Sequence, residues 1–223
     1  MTMFGSQWLA NAGSTYEIEQ SIRFNDNDSG YLYRTPSSAS NRRTWTLSYW
    51  IKRANLGGFM NTFDARLDGD NYAKFQFHSG DYLQFLAETG GGGAYNLATT
   101  KLFRDPSAWY HIVLAVDTTQ STTAADRVKI YVNGTQETSF ISASYPAQNY
   151  DTFVNTTNGH ALAGNFGGAA FLDGYMAEIN FIDGQQLDPS SFGEVNSDTG
   201  QWIAKEYSAS YGTNGFYITG EDS

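Results

Sequence analysis

The sequence predicts an all-β fold, an antiparallel sandwich or jelly roll, and three observations carry the prediction. Apolar and polar residues alternate strictly through several runs. Turn signals punctuate the chain at intervals of about 8–12 residues. No stretch longer than about ten residues repeats with the helical period. With 223 residues, 40 % of them hydrophobic and 16 % aromatic, the chain has the size and the apolar content for one large β domain.

The elements follow in order. "SIRFNDNDSGYLYRT" reads as two short strands around a polar turn. "TWTLSYWIKR" sends Trp45, Leu47, Tyr49 and Ile51 to one face and Thr46, Ser48, Trp50 and Lys52 to the other. "YAKFQFHSGDYLQFLAE" gives two strands around Ser79-Gly80-Asp81, with Tyr72, Lys74, Gln76 and His78 opposite Ala73, Phe75 and Phe77. Gly90 to Gly93 form a loop tip. "WYHIVLAVD" is apolar on both faces, as a strand covered by two layers must be. A polar loop, "TTQSTTAAD", leads to "RVKIYVNG", where Asn133-Gly134 is a strong hairpin signal. At "DPSSFGE" Asp188 can cap one helical turn with Pro189 in its first position.

Residues 1–15 carry little strand pattern and include Phe4 and Trp8. They are expected to be an N-terminal arm that orders on a partner, with the folded domain spanning 16–223. Their composition shows neither the basic nor the apolar region of a signal peptide. No run reaches the roughly 18 apolar residues of a membrane helix, so membrane insertion is not expected.

Thirteen Lys and Arg against 23 Asp and Glu give a net charge of −10. Nucleic-acid binding, which rests on a basic surface, is therefore not expected. The absence of cysteine excludes disulfides, thiolate metal sites and thiol nucleophiles. His78, His111 and His160 are dispersed, and His111 within "WYHIV" reads as a hydrogen-bonded core residue. Two acidic loops, "NDNDSG" and "ARLDGDN", leave calcium as the one cofactor the sequence keeps open, without a defined ligand set.

Aromatic residues give the best hint of binding, with 15 Tyr, 15 Phe and 5 Trp. Sugars stack their C–H faces on aromatic rings and hydrogen-bond to amides. "DGDNY" and "GGGAYN" pair such groups, so Asn71, Tyr72, Tyr95 and Asn96 are the candidate carbohydrate-binding residues.

Three segments, "RTWTLSYWIKR", "FRDPSAWYHIVLAVDTT…DRVKIYVNGTQ" and "FLDGYMAEINFIDGQQLDPSSFGE", together resemble the laminin-G-like branch of the concanavalin A-like lectin/glucanase superfamily. The resemblance covers roughly residues 20–195 and implies a two-sheet antiparallel jelly roll. "LFRDPSAWYHIV" and "GYMAEINFIDGQQLDPSSFGE" are similar to virion proteins of tailed, especially marine, bacteriophages. That implies a non-enzymatic component of the phage particle surface: a tail-fibre, receptor-binding or capsid-decoration module. Its implied partners are other virion proteins and weakly bound host-surface glycan, with homo-oligomerisation open. The alternatives are a polysaccharide-depolymerising glycosidase or lyase of the same fold, or a structural virion protein without a ligand.

"EINFID" bears on the enzymatic alternative. Retaining glucanases of this superfamily resemble E-x-D-x-x-E, where two carboxylates divide nucleophilic and acid–base roles. Here Glu178 and Asn180 share a face, and Asn180 stands where an acid would be needed. Asp183 falls on the opposite parity unless a bulge intervenes, and with Gly184 it is placed to shape a turn. No catalytic residue is therefore assigned, and Ile179 and Phe181 are expected in the core.

Overall fold

A computed structural model describes residues 16–165, 167 and 169–221. The arm expected at residues 1–15 lies outside them. The strands are β1 (Ile22–Phe24), β2 (Leu32–Arg34), β3 (Thr44–Arg53), β4 (Met60–Arg66), β5 (Tyr72–Phe77), β6 (Tyr82–Thr89), β7 (Gly92–Leu102) and β8 (Tyr110–Asp117). They continue with β9 (Val128–Val132), β10 (Thr135–Gln136), β11 (Phe140–Ser144), β12 (Gly159–Leu162), β13 (Gly174–Asp183), β14 (Gly193–Val195), β15 (Trp202–Ala204) and β16 (Phe216–Ile218).

Two seven-stranded antiparallel sheets result. The first runs β1-β13-β3-β8-β9-β10, with β16 also on β13, and the second runs β11-β7-β6-β5-β4-β12-β2. The two strands around the "NDNDSG" turn part company, β1 pairing with β13 and β2 with β12. The chain thus crosses between sheets at residues 25–31 instead of closing a hairpin.

The alternating residues meet between the sheets. Trp45, Leu47, Tyr49 and Ile51 of β3, with Ile112 and Leu114 of β8, face Phe75, Phe77, Leu83, Phe85 and Leu97 of the second sheet. Trp45 lies within 5.9–6.2 Å, ring centre to ring centre, of Phe63, Phe85 and Phe181. Each such fully buried side chain contributes about 1.5–3 kcal/mol. Ile179 and Phe181 belong to this core, as the sequence predicts.

The outer face of the first sheet is covered as well. The chain after β13 folds back so that Leu187, Phe192, Tyr207 and Tyr211 pack on Val113, Ala115 and Ile182. This cover is why β8 is apolar on both faces. His111 lies beneath it: the Trp202 Nε1–H donates to its Nδ1 at 2.9 Å, so Nε2 carries the proton and bonds Ser48 Oγ at 2.9 Å.

The turns follow from their residues. Asn133 and Gly134 take φ of +48° and +78° and close the β9–β10 hairpin. Gly90 and Gly91, at +59° and +75°, make a tight turn between Thr89 and Gly92, which are paired, so the glycine run closes a hairpin. Asp188 caps the single turn Pro189–Ser191 by accepting from the Ser190 N–H at 2.8 Å. At one end of the sandwich Arg53 of β3 is fully buried. It donates to the Phe103 carbonyl at 2.6 Å and to Asp81, in the β5–β6 turn, at 3.0 Å.

Candidate functional site

The period of two that buries Ala73, Phe75, Phe77, Leu83, Phe85 and Leu97 turns Tyr72, Lys74, Gln76, Gln84, Leu86, Glu88 and Asn96 to the opposite face of the second sheet. Register then aligns their amides across four strands. Asn61 pairs with Gln76, Gln76 with Gln84, and Asn96 with Leu86 beside Gln84. Gln76 Nε2 donates to Gln84 Oε1 at 2.8 Å, and Gln84 Nε2 donates to Asn96 Oδ1 at 2.9 Å. Each amide points its donor the same way, so Gln76 Oε1 is left at the head of the row. Among the described residues it is buried without a partner, as are Asn61 Oδ1 and Nδ2 next to it. A buried polar atom left unpaired costs about 1–3 kcal/mol. The row therefore holds unused hydrogen-bonding capacity at a stability cost.

This face floors a pocket of about 340 Å³. One end is aromatic: Phe59, 48 % exposed, meets His78 edge-on at 4.6 Å, and His78 stacks on Tyr82 at 4.4 Å. Burial, with Lys74 nearby, lowers the His78 pKa and favours the neutral ring. The other end carries Lys74 and Glu88. Burial, then Arg66, lowers the Lys74 pKa. Arg66 itself grips the buried Asp64 through two hydrogen bonds of 3.1 Å.

The four candidate residues separate. Tyr72 and Asn96 stand on this face. Tyr72 is committed there to protein contacts, with the Arg66 guanidinium 4.3 Å and the Lys74 ammonium 5.1 Å from its ring centre. Its hydroxyl pKa is raised, first by burial and then by its hydrogen bond to Glu88. Asn71 pins two turns together, donating to Asp68 Oδ1 at 2.9 Å and accepting from the Gly90 N–H at 3.0 Å. Tyr95 is a correction: its ring lies in the core, 4.9 Å from Phe85 and edge-on to Tyr150. Residues alternate across a strand, so a face that holds Asn96 turns its neighbour inward. Gln76, Gln84 and Phe59 escaped sequence reasoning. The two glutamines sit symmetrically about Gly80, and that symmetry in a hairpin was the available signal.

Glu178 occupies a different place. A bulge interrupts the pairing of β13 with β3 between Ala177 and Asn180, and Glu178 takes a left-handed φ of +50°. Its carboxylate accepts from Tyr16 at 2.5 Å and Tyr217 at 2.8 Å. The Tyr16 pKa rises to about 12 through burial and then this bond. Asn180 is held by the Tyr211 hydroxyl at 3.0 Å. Asp183 ends β13 as a buried structural acid, not a turn former. The three residues of "EINFID" thus do not form a set of facing carboxylates.

In the acidic loops, Asn25 accepts from the Asn27 N–H and Asp68 from the Asp70 N–H, so these side chains shape turns. Among the described residues no three His, Asp or Glu side chains converge as a metal centre would require.

Residues 25–190 match the family model of the laminin G domain, described as concanavalin A-like lectin/glucanases superfamily. No protein of curated function matches the sequence. Among solved structures the chain is similar to domain 4 of the extracellular arabinanase AbnA of Geobacillus stearothermophilus, in complex with arabinotriose. The identity is 18 % and the TM-score 0.58, over 80 % of this chain and 77 % of that one. It is similar to mouse laminin α1 domains LG4-5 at 17 % identity and TM-score 0.52, over 76 % of this chain and 43 % of that one. It also resembles the NanB sialidase of Streptococcus pneumoniae at 13 % identity and TM-score 0.51, over 78 % of this chain and 28 % of that one. At such identities the likeness concerns the fold. The family match spans well over half the sequence, and the chain belongs to the concanavalin A-like lectin/glucanases superfamily.

Proposed function

We propose that this chain is a non-enzymatic glycan-binding module whose site is the amide face of the second sheet. The observation that carries this reading is the row Asn61, Gln76, Gln84 and Asn96, of which Asn61 and Gln76 are buried and, among the described residues, hold donors and acceptors without partners, while Gln84 and Asn96 are half-exposed. Gln76, Gln84 and Asn96 line the pocket from three strands about 4.8 Å apart, a polar track of about 10 Å, the scale of a short oligosaccharide. Phe59 supplies an exposed ring at one end for the C–H face of a sugar. The superfamily contains lectins, and the similar arabinanase domain was solved with arabinotriose, which supports the reading.

A glycan array followed by calorimetry tests it, using neutral arabino-, gluco- and galacto-oligosaccharides with and without calcium. Binding that drops at least tenfold in Gln84→Ala/Asn96→Ala is the expected result. A silent array, or binding indifferent to that variant, overturns the site.

The resemblance of "LFRDPSAWYHIV" and "GYMAEINFIDGQQLDPSSFGE" to phage proteins extends the proposal to a module on the surface of a virion, attached through residues 1–15. Antibody labelling of particles in the electron microscope tests this extension, and unlabelled particles reject it.

A second reading draws on the strained Glu178 and its two tyrosines, which line a pocket of about 480 Å³ with Glu17, Glu19, Glu206 and Glu221. Release of reducing ends from polysaccharides, lost in Glu178→Gln, would make the domain a hydrolase and replace the first reading.

A further inference from the structure

The sandwich opens along one side. There β2, at the edge of the second sheet, and β16, beside β13 in the first, line a slot of about 210 Å³. Its walls are Leu32, Phe63, Ala161, Leu162, Phe216 and Ile218. Phe63 at the floor is buried in the main core, so the slot reaches the interior. None of the amide-face residues lines it. An apolar protein cavity of about 150 Å³ is large enough to take up benzene. This slot therefore has room for one aromatic ring with a short tail.

The polar groups at the slot are few. His160 has both ring nitrogens engaged, Nε2 accepting from the Asn155 N–H at 3.0 Å and Nδ1–H donating to the Asn158 carbonyl at 2.9 Å. Burial lowers its pKa to about 4, so it stays neutral near pH 7. Among the described residues, Arg34 is the only charged one of the lining. It donates to the Asn214 carbonyl at 2.9 Å, and its guanidinium lies 5.3 Å from the Phe216 ring centre. Among the described residues no carboxylate forms an ion pair with it, although the chain carries a net charge of −10. A guanidinium has five N–H donors in a fork that fits a carboxylate. An apolar slot closed by one uncompensated cation complements a molecule that is apolar at one end and anionic at the other.

We propose that this slot is a binding site for a small aromatic carboxylate, its ring seated among Phe63, Leu162 and Phe216 and its carboxylate on Arg34. The site is independent of the glycan-binding reading.

The test titrates the full chain with 3-phenylpropionate and, separately, with its neutral counterpart 3-phenylpropan-1-ol, following backbone amides by NMR. The acid perturbs Leu32, Arg34, Ala161 and Leu162 and binds about tenfold more tightly than the alcohol, the effect of one charge-assisted contact. Arg34→Met removes that preference while the alcohol binds as before. Leu162→Trp fills the slot and abolishes both, and Ile218→Phe serves the same end if the tryptophan variant does not fold. Equal binding of acid and alcohol, perturbations centred elsewhere, or no binding at millimolar concentration overturns the proposal.

Discussion

The Asn155 side chain, from the loop between β11 and β12, donates through Nδ2 to Asp183 Oδ1 at 2.8 Å, inside the protein and at the end of β13. The other carboxylate oxygen accepts from the Asn214 N–H at 3.0 Å. Asp183 thereby ties the last long strand to that loop and to the C-terminal cover. Asp183→Ala leaves buried donors from both segments unpaired. It should lower stability by about 3 kcal/mol in urea denaturation. A change below about 0.5 kcal/mol would deny the acid this role.

Asp81 is the acid-sensitive link. Burial opposes its ionisation, but hydrogen bonds from the Gly57 N–H, Arg104 and Arg53 outweigh that and hold its pKa below the ordinary value. A folded-state pKa below the unfolded value of about 3.9 gives stability that is present above that pH and lost as pH falls through the folded value. Thermal midpoints measured from pH 6 to pH 2.5 should fall on the acid side. The fall should be shallower in Asp81→Asn, which also starts lower at pH 6. Parallel acid limbs in the two proteins would contradict the assignment.

His111 and His160 make a separate contribution at milder pH. Burial lowers their pKa values to about 3 and about 4. Both are neutral in the fold, whereas an unfolded histidine takes up a proton near pH 6.5. Stability from this source is complete above about pH 6.5 and declines as pH falls toward the folded values. In NMR the imidazole C–H shifts of both residues should stay flat from pH 8 to pH 5. A midpoint near 6.5 for either ring would show that it is not sequestered.

The amide row predicts a conflict between stability and binding. Gln76→Leu replaces a buried, unpaired acceptor with apolar volume on a face already holding Leu86; it also removes the hydrogen bond to Gln84 Oε1, but Gln84 is half-exposed and that oxygen turns to water. Stability should rise by about 1 kcal/mol, while affinity for the best array glycan falls at least tenfold. Denaturation and calorimetry on the same variant check both halves. Loss of stability would mean that the Gln76 amide, through Oε1 or through its bond to Gln84, contributes more than its burial costs.

Much of the fold was legible because its signals are local. Alternation assigned Trp45, Leu47, Tyr49 and Ile51 to the core and Tyr72, Lys74 and Gln76 to the other face. Asn133-Gly134 and Asp188-Pro189 announced their turn and cap through backbone geometry that their own residues impose. His111 was readable as a core residue from the strand around it, but its partner Trp202 lies 91 positions away and was not.

The candidate site was legible only in part. Tyr72 and Asn96, named from the sequence as candidates, both stand in strands on the amide face. Tyr95 was misplaced because loop residues have no fixed alternation, and one position along a strand reverses the face.

The sequence alone thus determined the class of fold, the faces of each strand and the turns that join neighbours, since these depend on residues within a few positions of one another. Tertiary structure decided which strands lie side by side. That order placed Asn61, Gln76, Gln84 and Asn96 in one row, covered β8 with the C-terminal segment, and put Arg34 at the mouth of an apolar slot. Pairing between distant strands is selected by the summed burial of the whole core, and no local stretch of sequence contains that sum.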